Sequence, residues 1–440
     1  MSIKANAWVR AYGPVVLLVA LVAYVGMYVR WPSLAGQVDL LVYRFGAARV
    51  LAGHDLYSTG LTGNPHTLLF DYTPFAALCS LPLTFVTPAT AQVLGLVVNA
   101  ALVIYAVRRS LVRLGVTTAA GLWSLGALLT GLVCWLEPVR LSLQLGQVNL
   151  VILAVVVADL LGSDKRRWAG VGIGIVAGIK LTPALFIVYL ILTGRRRPAV
   201  VASLTFAVTV LLGFILLPRD SNYFWLRGGF DDVARITSDP VANTSLKGLF
   251  DRLHLVGALP TALTALLAVL ALAVAVLAWR RGHAVLGLAI VGMSSAALSP
   301  FSWSHHWVWM VPLMVHLGHR AYVVGSRWSL AALWAFCAAF AGWPVSTRGD
   351  TPETGVLSLR PGGWWDVVIP ATYLAGFTAV LVGTAWWLGR RPADSDYETP
   401  TTTGDVLYPV TRTQSAEAGF LDPRGAEART STVSPGNTVT

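Results

Sequence analysis

Residues 199–217 read AVVASLTFAVTVLLGFILL and directly follow the basic residues Arg195, Arg196 and Arg197. The stretch shows little of the alternation of a half-buried strand or of the polar stripe of a surface helix. An α-helix of roughly 20 apolar residues spans the hydrocarbon core of a bilayer. The stretch therefore predicts a transmembrane helix with its basic end at a membrane surface.

Similar apolar blocks recur along the chain, at 15–29, 91–107, 148–161, 263–279 and 367–388. Of the 440 residues, 55% are hydrophobic and 12% are charged, whereas about a quarter of residues in soluble domains are charged. The pattern predicts an all-α polytopic membrane protein with about 12 transmembrane helices. The first block follows Lys4 and Arg10 and has no small-residue cleavage site after it, which indicates an uncleaved anchor.

The net charge of +11 comes from short basic clusters between the apolar blocks. This distribution is typical of cytoplasmic loops under the positive-inside rule, and it argues against a nucleic-acid-binding face. These clusters are 108–113, 165–167, 195–197, 280–281, Arg320 with Arg327, and 390–391. They predict a cell-membrane protein with both termini in the cytoplasm and with the long loops 30–89 and 218–260 outside.

Two segments have a special place in this topology. Residues 168–195 have basic residues at both ends, so they must cross an even number of times, in two short legs meeting near Lys180. Residues 392–440 are rich in Thr, Ser, Pro, Gly and Glu, a composition typical of disorder. We therefore predict a membrane domain over 1–391 and a disordered cytoplasmic tail over 392–440.

The sequence carries no signature of a cofactor or a metal. It has no P-loop, no dinucleotide glycine fingerprint and no zinc-protease motif, and we expect neither cofactor nor metal. Gly172, Gly174 and Gly178 are interpreted as close helix packing. The cysteines Cys79, Cys134 and Cys337 lie in or beside apolar segments, which indicates packing without a disulfide framework.

Asp39 is the first candidate for chemistry, shortly after the first span and between apolar neighbours in VDLLVY at 38–43. A partly desolvated carboxylate at the membrane surface has a raised pKa and suits a general base. From its position alone, an ordinary loop acid or a helix cap for the following apolar stretch is the stronger interpretation.

Ionisable residues at membrane depth form the second group of candidates. The adjacent His305 and His306 sit where a span begins on the outer face, and they suit a phosphate oxygen or a hydroxyl better than a metal. Lys180 lies between the two short legs and needs an anionic partner, such as a lipid phosphate or an intramembrane acid. Interfacial histidines and a snorkelling lysine are the alternatives.

The third group combines charges and amides at the outer ends of two spans. Glu137 and Arg140 precede Gln144, Gln147 and Asn149. Amides suit sugar hydroxyls because they offer a donor and an acceptor together. For Asn149, inside the span, hydrogen bonding between helices is the stronger interpretation.

The motifs together resemble the polyprenyl-phosphate-mannose-dependent α-(1→2)-mannosyltransferases of actinobacteria, glycosyltransferase family 87, which have the GT-C fold. Their order and spacing carry the resemblance over nearly all of the chain before the tail. The matching strings are VDLLVY at 38–43 with Gly46, GHDLY at 53–57, FDYTPFAA at 70–77, GQVN at 146–149, GIKLTP at 178–183, NTSLKGL at 243–249 and SPFSWSHH at 299–306. Thr244 departs from the pattern, which has glutamine there.

The resemblance implies a GT-C bundle whose outer-face loops carry the site. It makes Asp39 the general base of an inverting transfer, with polyprenyl-phosphate-mannose as the donor. The acceptor would be a phosphatidylinositol mannoside or the mannan of lipomannan or lipoarabinomannan. The donor phosphate would contact Lys180, Arg140 and His305 or His306, while Gln147, Asn243, Tyr72 and Tyr43 would line the substrate site.

Three alternatives remain open at the level of sequence. A transferase of the same fold using another lipid-linked sugar, such as arabinofuranose, would share these motifs. A lipid or solute transporter is disfavoured because the chain has no convincing internal repeat and its charged residues lie at one face. A non-catalytic assembly subunit would tolerate replacement of Asp39.

Overall fold

The computed structural model describes residues 3–64, 68–231, 240–342, 344–348, 351–355 and 362–390. Within this part the chain is helical apart from one antiparallel hairpin, β1 (Pro344–Arg348) and β2 (Thr351–Thr354). The predicted helical membrane class is confirmed, and the hairpin is an addition to it. The predicted tail, 392–440, lies outside the described residues.

The helices follow one another with short connections, several of them 3₁₀ turns. In chain order they are α1 (Ile3–Arg30), α2 (Val38–Leu51), α3 (Pro74–Cys79), α4 (Pro88–Arg113), α5 (Ala119–Cys134), α6 (Glu137–Leu145), α7 (Asn149–Leu160), α8 (Val171–Ile179), α9 (Leu185–Leu192), α10 (Arg196–Leu216), α11 (Pro218–Ser221), α12 (Leu246–Arg252), α13 (Ala258–Arg280), α14 (Ala284–Ala297), α15 (Met310–Tyr322), α16 (Arg327–Ala339) and α17 (Trp365–Gly389).

Five helices of the described part are long and apolar enough to cross a membrane, namely Ala7–Arg30, Pro88–Arg113, Arg196–Leu216, Ala258–Arg280 and Trp365–Gly389. A sixth is possible if α6 and α7, which are bent by 117°, form one broken span. Multiple spans are therefore present, although the count does not reach the predicted dozen. The long helices expose apolar side chains such as Leu211, Ile215 and Val269, as lipid contact requires.

Shorter apolar helices fill the interior. Every residue of α14 is buried, and its composition of Ala, Gly, Ser and medium aliphatic residues allows other helices to approach closely. A Cβ at Gly292 would lie 2.1 Å from the Trp309 ring, so the ring rests directly on the α14 backbone. Such short helices are tolerated at membrane depth because protein surrounds them.

The segment from Trp168 to Arg195, between two basic clusters, has the predicted form of two short legs. Helix α8 ends at Ile179, Lys180 is extended, and a 3₁₀ turn at Thr182–Ala184 leads into α9. A Cβ at Gly174 would lie 2.5 Å from the Ala202 carbonyl oxygen, and one at Gly178 would lie 2.1 Å from Thr209 Oγ1. Both glycines let α8 pack against α10, which confirms their interpretation as close-packing residues.

The cysteines Cys79, Cys134 and Cys337 are all free. Cys134 and Cys337 are half-buried, as the packing prediction requires, whereas Cys79 is exposed.

Candidate active site

Asp39 lies in the first turn of α2, where the exposed amide groups of a helix favour negative charge. The turn before it is fixed by Gln37, which has a left-handed backbone with φ of 43°. The Gln37 backbone N–H donates to the Gln144 carbonyl at 3.0 Å. The start of α2 is thereby tied to the end of α6, some hundred residues later in the chain.

The junction between α6 and α7 supplies the partner of Asp39. Gly146 ends α6 with φ of +69°, and a Cβ there would lie 2.7 Å from the Leu40 Cβ. Only glycine combines this backbone conformation with such a close approach to α2. The chain turns at Gly146, and the Gln147 side chain lies against Asp39.

Four side chains then form one hydrogen-bonded group. Gln147 Nε2 donates to Asp39 Oδ2. Gln147 Oε1 lies 2.9 Å from the Tyr43 hydroxyl and 3.1 Å from the Tyr72 hydroxyl, and the two hydroxyls are 2.9 Å apart. The structure thus brings together Asp39, Tyr43, Tyr72 and Gln147, four of the residues that sequence analysis selected.

The surroundings change the acidity of Asp39. Burial is the main reason that the pKa of its carboxyl is raised from 3.8 to about 6. The hydrogen bond from Gln147 and the charge of Lys180 lower this pKa, whereas the charge of Asp71 raises it. A carboxylate with a pKa near 6 is ionised at neutral pH and is a stronger base than an ordinary aspartate.

Lys180 connects this group to the histidine pair. Its Nζ lies 2.9 Å from His306 Nε2, 3.3 Å from Asn149 Oδ1 and 5.3 Å from the centroid of the Tyr72 ring. The His306 Nδ1 accepts from the Trp303 backbone N–H at 3.3 Å, which orients the ring. Asn149 bonds between helices, as predicted, and also contacts Lys180.

The two adjacent histidines have different orientations and different surroundings. Their rings are nearly perpendicular, at 86° with centroids 4.8 Å apart. His305 is buried, and its carbonyl oxygen accepts from Asn149 Nδ2 at 3.0 Å. His306, by contrast, faces a cavity together with Lys180.

This cavity has a volume of about 470 Å³ and two unlike ends. Asp71, Tyr72, Lys180 and His306 form its polar end. Its apolar walls are Ile179, Leu181, Leu185, Val188, Phe224, Phe230, Leu298 and Phe301. Leu181 and Val188 are 37% and 42% exposed on the outer surface, so the cavity joins an apolar surface to a charged interior. Its lining, with Asp71 and Lys180 among apolar side chains, suits an amphiphile with a polar head.

Two predicted residues lie elsewhere. Arg140 is buried, its Nη1 donates to Gln144 Oε1 at 2.8 Å, and it does not line this cavity. Asn243 is also buried, and its amide joins two loops by donating to the Pro300 carbonyl and accepting from the Ser302 N–H, both at 3.0 Å. Thr244, the departure from the family pattern, bonds the Ser302 carbonyl at 2.7 Å.

Asp71 is the residue that sequence reasoning did not select. It lies at the polar end of the cavity and interacts electrostatically with both Asp39 and Lys180. Its position beside Tyr72 in the string FDYTPFAA was the available signal. Among the described residues, no group of three or more His, Cys, Asp or Glu side chains has the arrangement of a metal site.

A comparison with known proteins identifies the family of this chain. The family model described as Glycosyltransferase family 87 matches residues 70–300, more than half of the chain. The protein is thus a multi-pass membrane glycosyltransferase. It belongs to glycosyltransferase family 87, which confirms the resemblance seen in its motifs.

Curated relatives agree with this assignment. The chain is 34% identical over 315 residues to the polyprenol-phosphate-mannose-dependent alpha-(1-2)-phosphatidylinositol pentamannoside mannosyltransferase of Mycobacterium tuberculosis, covering 68% of this chain and 70% of the relative. It is 31% identical over 359 residues to the polyprenol-phosphate-mannose-dependent alpha-(1-2)-phosphatidylinositol mannoside mannosyltransferase of Mycolicibacterium smegmatis, covering 75% of this chain and 81% of the relative. No solved structure matches the chain.

Proposed function

We propose that this protein transfers mannose from polyprenyl-phosphate-mannose to a glycolipid acceptor, forming an α-(1→2) linkage with inversion. The relatives' names support the donor and a phosphatidylinositol mannoside acceptor, and the mannan of lipomannan or lipoarabinomannan is a second acceptor of the same kind. The observation that carries the proposal is the group formed by Asp39, Gln147 and Tyr72, because Tyr72 also lines a cavity that combines Lys180 and His306 with apolar walls.

The donor fits this cavity by its two chemical halves. Lys180 and His306 at the polar end supply a positive charge and hydrogen-bond donors for the phosphate. The apolar walls between Leu181 and Phe230 match a polyprenyl chain that enters from the membrane. His305 supports the loop that carries His306. Arg140 and Asn243 were predicted as substrate contacts, but their side chains bond other protein groups and do not line the cavity.

The reaction then needs one base. An Asp39 carboxylate oxygen removes the proton of the acceptor hydroxyl, and the acceptor oxygen forms a bond to the anomeric carbon of mannose as the bond to the phosphate oxygen breaks. The electron pair leaves with the lipid phosphate, whose growing charge Lys180 stabilises. Attack from the face opposite the phosphate converts a β-linked donor into an α-linked product.

The membrane arrangement is part of the proposal. A GT-C bundle of about 12 crossings would be reached if the shorter apolar helices also cross within the protein interior. The basic clusters favour cytoplasmic termini and a site that faces outward. Residues 1–391 would form the transferase domain, and the tail 392–440 would remain in the cytoplasm.

The test is mannose transfer by membranes that contain equal amounts of wild type or Asp39→Asn, supplied with labelled polyprenyl-phosphate-mannose and a glycolipid extract. We expect wild-type transfer and a loss of at least roughly 10²-fold in the variant, the lower range for losing a general base. Asp251→Asn, a surface acid paired with Lys247, serves as the matched control. Equal transfer by wild type and Asp39→Asn would remove Asp39 from the mechanism.

The same assay tests the phosphate contacts. Lys180→Gln should raise the KM for the donor and lower kcat because its charge meets both bound phosphate and leaving group. Lys165→Gln, in an exposed loop, controls for the loss of one lysine. Unchanged donor kinetics in Lys180→Gln and in a His306→Gln variant would contradict the phosphate assignment.

A further inference from the structure

Gln147 has few hydrogen-bonding positions left for a sugar. The residue is only 4% exposed. Its Nε2 is engaged by Asp39 and its Oε1 faces the hydroxyls of Tyr43 and Tyr72. These contacts separate Gln147 from the role of substrate contact that its sequence suggested.

The direction of the amide is fixed by its partners. An ionised Asp39 carboxylate only accepts hydrogen bonds, so the amide nitrogen must face it. The amide oxygen then faces two tyrosine hydroxyls, which are able to donate. The backbone N–H of Val148 lies 3.5 Å from the Tyr43 oxygen and points the Tyr43 proton away from it, toward the amide oxygen and Tyr72.

We propose that Gln147, held by Tyr43 and Tyr72, is a positioning residue that orients the Asp39 carboxylate for proton abstraction. The inference rests on the proposed function, in which Asp39 is the base. By engaging Oδ2, the amide sets the plane of the carboxyl group and leaves Oδ1 to receive the proton of the acceptor hydroxyl. Tyr43 does not line the cavity, so it acts through its hydrogen bonds to Gln147 and Tyr72.

Gln147→Met tests this role, because methionine has a similar length and cannot donate a hydrogen bond. We expect kcat to fall by roughly 10- to 100-fold, the equivalent of one charge-assisted hydrogen bond. The KM values for donor and acceptor should stay within about twofold. The hydrogen bond from Gln147 lowers the Asp39 pKa, so its loss should move the acidic limb of the pH–rate profile to higher pH.

Tyr43→Phe provides a second variant that removes one oxygen and is expected to fold. Its loss of kcat should be smaller than that of Gln147→Met. Since Tyr43 acts through Gln147, adding Tyr43→Phe to Gln147→Met should cost little more, giving a strongly non-additive cycle. Tyr105→Phe, at a residue 42% exposed on α4, is the matched control.

The outcomes distinguish the two proposals. Absence of mannose transfer by the wild type would overturn the proposed function itself. With an active wild type, a raised acceptor KM at unchanged kcat would make Gln147 a substrate contact and overturn the inference. An unmoved acidic limb or additive losses in the cycle would also overturn it, whereas a shifted limb with unchanged KM values would support it.

Discussion

At the scale of single residues, burial gives Asp39 its base strength. Removing water from an ionised carboxylate costs free energy, and this cost appears as a pKa raised to about 6. The Gln147 amide offsets part of this free-energy cost by donating a hydrogen bond to the ionised carboxylate. The balance leaves a group that is ionised at neutral pH and still binds a proton well.

The raised pKa predicts a specific pH dependence. Only ionised Asp39 accepts a proton, so kcat/KM should fall about tenfold per pH unit below a pH of about 6 and level off above it. An ordinary aspartate would keep activity down to about pH 4. Initial rates of mannose transfer between pH 4.5 and 8 measure the limb, and a profile flat to pH 4.5 would contradict an essential base with this pKa.

At the scale of elements, the site depends on one sharp turn. The bend of 117° between α6 and α7 carries Gln147 to α2, and Gly146 makes the bend possible. Its left-handed backbone and its contact with Leu40 both exclude a side chain. The turn fixes the distance between the base and its amide partner, because the adjoining backbone is also bonded from Gln37 to Gln144.

Gly146→Ala should therefore lower kcat strongly while lowering the free energy of unfolding only modestly. The left-handed backbone costs an alanine roughly 1–2 kcal/mol, and its Cβ would also push on Leu40 and displace the start of α2. Gly194→Ala is the matched control, since Gly194 has φ of +78° and nothing within 4 Å. Thermal unfolding and kcat are measured for both. An equal loss of kcat in both variants would show that the contact with α2 is unimportant.

At the scale of the whole molecule, the long apolar helices are largely exposed, whereas the short helix α14 is entirely buried. His305 is buried, Lys180 and His306 are half-buried, and the apolar wall of the cavity is partly exposed at Leu181 and Val188. Under the proposed function, a lipid-linked donor would reach the polar residues along this wall.

Narrowing the cavity at its apolar wall should affect the KM of long-chain donors more than that of short-chain donors. Val188→Trp places a large ring in the apolar part of the cavity, so the KM for a long-chain donor should rise several-fold while that for a short-chain analogue changes little. Val200→Trp, at a residue 57% exposed on α10 and outside the cavity lining, is the control. Equal effects on both donors would place the polyprenyl chain elsewhere.

The sequence by itself determined the helical membrane class, the family and the break at Lys180, and it supplied Asp39 as a predicted base. These features follow from local properties, namely long apolar runs, basic flanks and short motifs. The number of crossings was harder to predict, because short buried helices resemble spans in composition but owe their stability to surrounding protein. The hairpin β1–β2 was missed, since it lies in a polar stretch without strand alternation.

Only the tertiary structure decided how the selected residues act. It paired Gln147 with Asp39, turned His306 rather than His305 toward the cavity, placed Asp71 beside Lys180 and used Asn243 to join two loops. The physical reason is that hydrogen bonds are directional and short, whereas the partners lie far apart in the chain, 108 residues for Gln147 and Asp39 and 156 for Asn149 and His305. Local patterns fix which helices form, and the packing of those helices fixes which side chains meet.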